Sequence, residues 1–283
     1  MIWRNKRRSP GILKPFLPIL YISKIKEKSR MPDRLRPKAF ARGIGVIFTR
    51  EINAYFDTPI AYIYASVFII LSCSTFMNAF FLNGVLEMAP YFDLLPFFLI
   101  PFIPAITMRS WAEERAQYTI ELLMTMPLQS LQIVLGKYLS ALVFYMIVLS
   151  GTLPIVFMLL VLGTPDLGLI FSSYLGALCL GAFFLSFGLF ASGLTRDQIV
   201  AYVVAVLLGF VFVLSGHEKV VEILDGLVPA YHIGSLLYES LSIAPHYSAF
   251  TRGIIALPAV LYFSLLSVFF LWMNDLSLKR DRG

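Results

Sequence analysis

Residues 109–137 read RSWAEERAQYTIELLMTMPLQSLQIVLGK, and they form the one sizeable polar interruption in the hydrophobic part of a 283-residue chain. The stretch holds three glutamates, two arginines and a lysine, whereas the apolar runs on either side carry almost no charge. A membrane protein that is uncharged inside the bilayer and charged in one internal loop is expected to work through that loop. This stretch is therefore the first candidate for a functional site.

The overall composition places the chain in a membrane. It is 58% hydrophobic and only 14% charged, whereas about a quarter of the residues in a soluble domain are charged. Its mean hydropathy is +0.79. The apolar residues form long continuous runs rather than an alternating pattern, which favours helices over an outer-membrane barrel. The sequence therefore predicts an all-α, polytopic membrane protein.

Six apolar runs predict six transmembrane helices. They cover approximately residues 60–82, 94–108, 138–162, 169–194, 199–214 and 254–273. The second run is short and contains three prolines, so we expect it to be kinked and to lean on its neighbours. Residues 215–253, between the last two runs, are expected to form a long polar and aromatic loop.

An amphipathic helix is expected just before the first run. The apolar residues of 41–57 fall on one helical arc and the polar residues on the other. This pattern is typical of a helix that lies in the membrane interface. Glu51 is the exception, because it falls within the apolar arc. Two interpretations remain open: local pairing with arginine or exposure at the edge of the arc, or contact with a docked partner.

The N-terminal segment is basic and is interrupted by prolines. Residues 1–40 are expected to form a disordered cytoplasmic tail that touches anionic lipid. Residues 41–283 are expected to form the six-helix domain. Organised sequence begins only after Met31, which makes Met31 a candidate for the true start of the protein.

The distribution of basic residues predicts the orientation of the chain. With six spans both termini lie on one side, and twenty-one of the 23 Lys and Arg residues fall on that side. Lys219 and Arg252 fall on the other. Because basic residues are retained in the cytoplasm, both termini are expected to be cytoplasmic and the protein to lie in the inner membrane. The positive charge is thus not a sign of nucleic-acid binding.

Several function classes lack their characteristic residues. The apolar runs hold no ionisable residue at their centres, which argues against ion-coupled carriers, intramembrane proteases and ion-selective channels. No phosphate-binding loop precedes Lys137, because Leu131 stands where the first glycine of such a loop is required. Lys137 is instead interpreted as a side chain that extends to the membrane interface. The histidines lack ligand spacing, so no metal site is expected. Energy for any work must come from another subunit.

The polar stretch has the periodicity of one helix over about residues 110–126. Its two faces consist of Trp111, Arg115, Tyr118 and Leu122, and of Glu114, Gln117 and Glu121. We expect the first face to lie on the membrane or the bundle and the acidic face to meet a partner; an ordinary solvated face is the alternative. The residues expected to transmit force to that partner are Glu113, Glu114, Arg115 and Glu121, with Glu51 in support.

Short motifs surround this stretch: ITMR at 106–109, AEER at 112–115, TIELLMTMP at 119–127 and IVLGK at 133–137. Further motifs are RE at 50–51, YF at 55–56, TPIAYI at 58–63 and HYSAFTRG at 246–253. Together they resemble the ABC-2 type transporter permeases, in the branch associated with gliding motility and nitrous-oxide-reductase maturation. The resemblance runs from about residue 41 to the C-terminus. Tyr118 departs from it, because the family usually has glycine there.

The resemblance implies a six-helix permease subunit of an ATP-driven ABC transporter, and an exporter. Such a subunit pairs with itself or with a sister permease and binds two ATPase subunits, which hold the ATP, so the chain itself needs no cofactor. By resemblance, residues 41–57 are the interface helix and residues 110–126 contain the coupling helix that sits in a groove of the ATPase. The alternative hypothesis is a membrane anchor or assembly scaffold for a motility or maturation complex, without solute transport.

A second candidate site lies before the last apolar run. Residues 215–253 could form short re-entrant helices over an exit path, and His246 and Arg252 are the candidates there for gating or for contact with substrate. A structural hydrogen-bonding role is the alternative for His246.

Overall fold

The computed structural model describes residues 37–84, 88–125, 128–227, 234–235, 238 and 241–280. Residues 1–36 of the predicted tail, Met31 among them, lie outside the described residues, and residues 37–40 belong to the first helix rather than to a disordered tail. The chain divides into two compact units, Met1–Arg42 and Gly43–Gly283. The described residues contain helices and no strand, and the helices are α1 Pro37–Asp57, α2 Pro59–Asn83, α3 Ala89–Thr107, α4 Arg109–Ala116, α5 Thr119–Thr125, α6 Ser130–Ser150, α7 Leu153–Leu162, α8 Leu167–Leu194, α9 Gln198–Leu214, α10 Glu218–Leu227, α11 Ala244–Thr251 and α12 Leu257–Arg280.

The polytopic all-α prediction is confirmed. Five helical segments of the described chain are long and apolar enough to cross a membrane: Pro59–Leu82, Ala89–Ala116, Ser130–Leu162, Leu167–Leu194 and Leu257–Arg280. A sixth segment arises if α9 and α10 form one broken span, because the two helices are bent by 89° at a short break. Helix α9 alone has 17 residues, or about 25 Å, which is short for a hydrocarbon core of about 30 Å.

Several boundaries differ from those that hydropathy predicts. Helix α6 begins at Ser130, and α12 runs on to Arg280, so both extend past the apolar runs into polar sequence. Hydropathy marks only the apolar part of a helix, whereas the backbone hydrogen bonds continue until a cap or a proline ends them. The region predicted as a long loop contains α10 and α11, in keeping with the expectation of short helices there.

Helix α8 lies at the centre of the bundle because small residues let its neighbours approach. A Cβ atom added to Gly176 would lie 2.5 Å from Phe250. A Cβ at Gly181 would collide with Tyr145, and one at Gly188 would collide with Thr107. These glycines of the fourth apolar run therefore allow close helix packing. Helix α2, by contrast, lies at the edge and exposes much of its apolar surface.

The apolar interior has two parts. The larger core runs through the middle of the bundle. The smaller one, called the end cluster below, consists of Ile47, Trp111, Leu123, Ile133, Val134, Leu189, Leu271 and Leu278. It joins α1, α4, α5, α6, α8 and α12 at one end of the bundle. The polar stretch of the sequence therefore packs on a core of its own.

Candidate functional site

The polar stretch forms two helices rather than the single helix that its periodicity predicts. Helix α4 ends at Ala116 and α5 begins at Thr119. Between them Tyr118 has a φ of 57°, the left-handed region that non-glycine residues rarely adopt. This conformation cannot continue a helix, so the prediction of one helix over 110–126 is wrong. The sequence carried a signal for this break, because Tyr118 is the position at which the resemblance implies a glycine.

Helix α4 is fixed to α8 through one serine. The Ser192 hydroxyl accepts hydrogen bonds from the backbone N–H groups of Trp111 at 3.0 Å and Ala112 at 3.2 Å, and donates one to the carbonyl of Met108 at 2.8 Å. The first-turn N–H groups of a helix have no partner within the helix. Ser192 therefore acts as a cap supplied by another helix and joins α3, α4 and α8.

A buried group of charges lies beside this junction. Lys137 on α6 is only 2% exposed, and its Nζ donates to Glu51 at 3.1 Å, to Glu114 at 3.1 Å and to the carbonyl of Ser110 at 2.7 Å. Arg50 donates to Glu114 at 2.7 Å and also pairs with Glu51. These four side chains, Arg50, Glu51, Glu114 and Lys137, are called the charge cluster below.

The charge cluster corrects the interpretation of Lys137 as an interfacial anchor. The ammonium points into the protein and lies 4.8 Å from the centroid of the Trp111 ring, which adds a cation–π attraction. Its neighbour Gly136 makes this possible, because a Cβ there would lie 2.6 Å from Ile47 and hold α1 away from α6. Sequence spacing alone could not reveal the contact, since Glu51 is 86 residues from Lys137.

The environment keeps Glu51 ionised. Burial on its own raises the pKa of Glu51, but the positive charge of Lys137 and the hydrogen bond and charge of Arg50 outweigh burial, so the pKa lies below its ordinary value. For Arg50 the balance is the converse: burial lowers its pKa, while Glu51 and Glu114 raise it above the usual value. The formal charges of the two cations and two carboxylates therefore balance, and the Oε2 atom of Glu114 is buried without a hydrogen-bond partner.

The structure brings some of the predicted residues together and separates others. Glu51 and Glu114 meet in the charge cluster. Glu51 pairs there with Arg50, which agrees with the interpretation of local pairing with arginine. Glu113 instead pairs with Arg109 at 2.9 Å along α4. Arg115 is half-buried, and Glu121 is exposed on α5. Of the five predicted residues, Glu121 presents its carboxylate most openly.

Two adjacent leucines of α5 lie in opposite environments. Leu123 is 3% exposed and belongs to the end cluster, whereas Leu122 is 65% exposed and Tyr118 is 67% exposed. The guanidinium of Arg196 lies 5.9 Å from the centroid of the Tyr118 ring. One side of α5 is thus anchored, and the other side carries an uncovered leucine, a tyrosine and a glutamate.

A cavity of about 490 Å³ opens next to the charge cluster. It lies between α1, α2, α3, α4 and α6. Its polar wall includes Arg109, Glu113 and the charge cluster, and its apolar wall includes Ile60, Ala61 and Phe144. The cavity is thus amphipathic, with charge at one end and hydrocarbon at the other.

His246 and Arg252 lie at the opposite end of the bundle. Ser173, near the start of α8, donates to the carbonyl of Phe250 on α11, whereas Ser192, near the end of α8, holds α4. The two serines are nineteen positions apart, which corresponds to about 28 Å of helix. His246 stacks on Tyr262 with ring centroids 4.1 Å apart, and burial lowers its pKa. The imidazole ring of His246 therefore packs on α12. A gating role for His246 stays a prediction.

One polar contact on α12 was not predicted from the sequence. Asp275 is 3% exposed, accepts a hydrogen bond from the Ser130 hydroxyl at 2.5 Å and pairs with Lys279 at 2.5 Å. Ser130 is the first residue of α6, and Gln129 before it occupies the N-cap and forms a reciprocal pair with Gln132. Hydropathy does not single out Asp275, because this residue lies past the apolar run in a polar segment.

Comparison with known families assigns the chain. The model of a family described as ABC-2 family transporter protein matches residues 51–273. No curated protein matches the sequence. The match covers three of the four residues of the charge cluster, both halves of the polar stretch and the opposite end of the bundle. The chain therefore belongs to the ABC-2 family of transporter proteins, and as such it is a membrane permease component rather than a catalytic subunit.

Proposed function

Starting from this family membership, we propose that the chain is the transmembrane subunit of an ATP-driven exporter of the inner membrane. Two copies of a separate ATPase bind and hydrolyse the ATP, and a second permease, identical or sister, completes the pathway. Both termini and the α4–α5 segment face the cytoplasm, in keeping with the excess of basic residues on that side. The membrane lipid surrounds the exposed apolar faces of the outer helices.

The observation that carries this proposal is the uncovered side of α5. Glu121 and Leu122 are exposed on α5, which Leu123 anchors in the end cluster, and Tyr118 is exposed just before α5. Aromatic side chains, tyrosine among them, are enriched in protein-binding surfaces. We infer that the ATPase binds α5. We further infer that α4 transmits the resulting movement of α5 to α6 through Lys137 and to α8 through Ser192.

This proposal changes the roles of the predicted coupling residues. Glu121 is assigned to the contact with the ATPase. Glu51 and Glu114 are assigned to transmission inside the permease, because their carboxylates are already bound by Lys137 and Arg50. A charge reversal at Glu114 would disturb this internal group, so Glu121 is the better position at which to test binding.

The test is affinity purification of the full chain from its native membranes, with ATP hydrolysis measured on the co-purifying proteins. We expect a stoichiometric ATPase with the parent chain and its loss with Glu121→Lys. Glu218→Lys, at an exposed carboxylate on α10, is the matched control and should retain the ATPase. If Glu121→Lys keeps the ATPase, α5 is not the docking surface. A stable complex without any ATPase would favour the assembly scaffold instead.

A further inference from the structure

The cavity beside the charge cluster has the architecture of a lipid site. Its volume of about 490 Å³ falls in the range of about 300–1,000 Å³ that is usual for small-molecule sites. On α6 it extends from Lys137 to Phe144, seven residues or about 10 Å along the helix. It also reaches the first residues of α2, Ile60 and Ala61, and the end of α3. These are parts of apolar segments long enough to span a membrane.

The charges at the cavity are balanced. Three cations and three carboxylates line it: Arg50, Arg109, Lys137, Glu51, Glu113 and Glu114. Four of these form the charge cluster, in which each cation pairs with both carboxylates. The remaining pair, Arg109 and Glu113, keeps about a third of each side chain exposed, at 34% and 31%. A ligand therefore meets one guanidinium and one carboxylate side by side, rather than a field of one sign.

Both members of this pair can accept a further partner. Arg109 donates to Glu113 from Nε at 2.9 Å and from Nη2 at 3.3 Å. A guanidinium carries five N–H donors and a carboxylate has about four acceptor positions. Arg109 can therefore also bind a phosphate, and Glu113 can also accept an N–H from an ammonium group.

We propose that this cavity binds a zwitterionic phospholipid with a primary ammonium headgroup, of the phosphatidylethanolamine type. The phosphate pairs with Arg109, the ammonium donates to Glu113, and an acyl chain lies against Ile60, Ala61 and Phe144. A choline headgroup has no N–H to donate to Glu113. A purely anionic headgroup would place its charge near Glu113 without compensating that carboxylate. Charge balance thus disfavours the anionic lipid, and the N–H donors of the ammonium select ethanolamine over choline.

This site does not depend on the identity of the ATPase, and its test needs no transport. The full chain is purified in detergent, exchanged against phosphatidylethanolamine, phosphatidylcholine or phosphatidylglycerol, and examined by native mass spectrometry for retained lipid. We expect phosphatidylethanolamine to be retained at least about tenfold better than the other two lipids. Equal retention of the three lipids, or a preference for phosphatidylglycerol, would overturn the proposal.

Two variants locate the site. Ala54→Trp places a large side chain in the cavity from an exposed position on α1, and Asn53→Trp places the same side chain on the same helix at an exposed position outside the cavity lining. Ala54→Trp should lose the retained lipid, and Asn53→Trp should keep it. Glu113→Ala removes the acceptor for the ammonium N–H, so it should keep a bound lipid but lose the preference for phosphatidylethanolamine. Full retention and preference in both Ala54→Trp and Glu113→Ala would place the lipid elsewhere.

Discussion

Helices α4 and α5 are adjacent in sequence and similar in length, yet they are held very differently. Helix α4 has Trp111 and Ala112 fully buried, a hydroxyl from α8 on its first N–H groups, and Glu114 bound by Lys137. Helix α5 is anchored through its buried leucine and leaves its other side uncovered. The left-handed Tyr118 separates the two.

The difference suggests a division of labour within one polar stretch. A segment that must transmit force needs rigid contacts to the helices it moves, and a segment that must bind a partner needs an uncovered surface. A single continuous helix would carry both properties on opposite faces. The break at Tyr118 instead separates them along the chain, so that α4 couples inward and α5 outward.

The largest effect is expected from removing the cation that holds α4. Lys137→Met leaves the carboxylates of Glu51 and Glu114 with Arg50 alone, and breaking a buried pair in this way costs roughly 3–5 kcal/mol. The apparent unfolding free energy of the purified protein in detergent measures it. Lys219→Met, at an exposed lysine on α10, is the control and should be close to the parent chain.

A second variant tests whether charge balance is the cause. Lys137→Met combined with Glu114→Gln leaves Arg50 and Glu51 as a neutral pair, so the double variant should be more stable than Lys137→Met alone. If the double variant is less stable than Lys137→Met, the lysine acts mainly through packing on Trp111, and the electrostatic account of α4 is incorrect.

An effect of intermediate size should separate the two sides of α5. Leu123→Ala removes a side chain from the end cluster and should cost about 2–5 kcal/mol. Leu122→Ala, at the exposed neighbour, should change stability by no more than about 0.5 kcal/mol. Both are measured by the same unfolding assay. Equal losses at the two positions would mean that Leu122 is covered in the free protein, which would remove α5 as an open docking surface.

The smallest effect concerns the break itself. Tyr118→Gly and Tyr118→Ala both remove the ring that faces Arg196, but only glycine adopts a φ of 57° without steric cost. Tyr118→Gly should therefore be more stable than Tyr118→Ala by about 1 kcal/mol. A glycine variant that is no more stable than the alanine variant would show that the left-handed conformation is not required at this position.

The sequence alone determined the class of the protein and the position of its polar stretch. Long apolar runs can be satisfied only in a membrane, and a stretch with three glutamates must leave it, so hydropathy sufficed for both. The motifs at 106–137 were sufficient to predict the family that the match over 51–273 confirms. These properties are local, because each depends on the composition of one segment.

Only the tertiary structure decided what each charge does. From the sequence, Lys137 is interpreted as an interfacial anchor. In the structure, α1 and α4 come within hydrogen-bonding distance of its ammonium, and this requires a glycine at position 136 in contact with Ile47. Glu114 and Glu121 have the same chemistry and lie on the same predicted face, yet one is enclosed and the other is exposed. Burial depends on neighbours distant in sequence, and the break at Tyr118 rotates α5 away from the face that helical periodicity assigns to it.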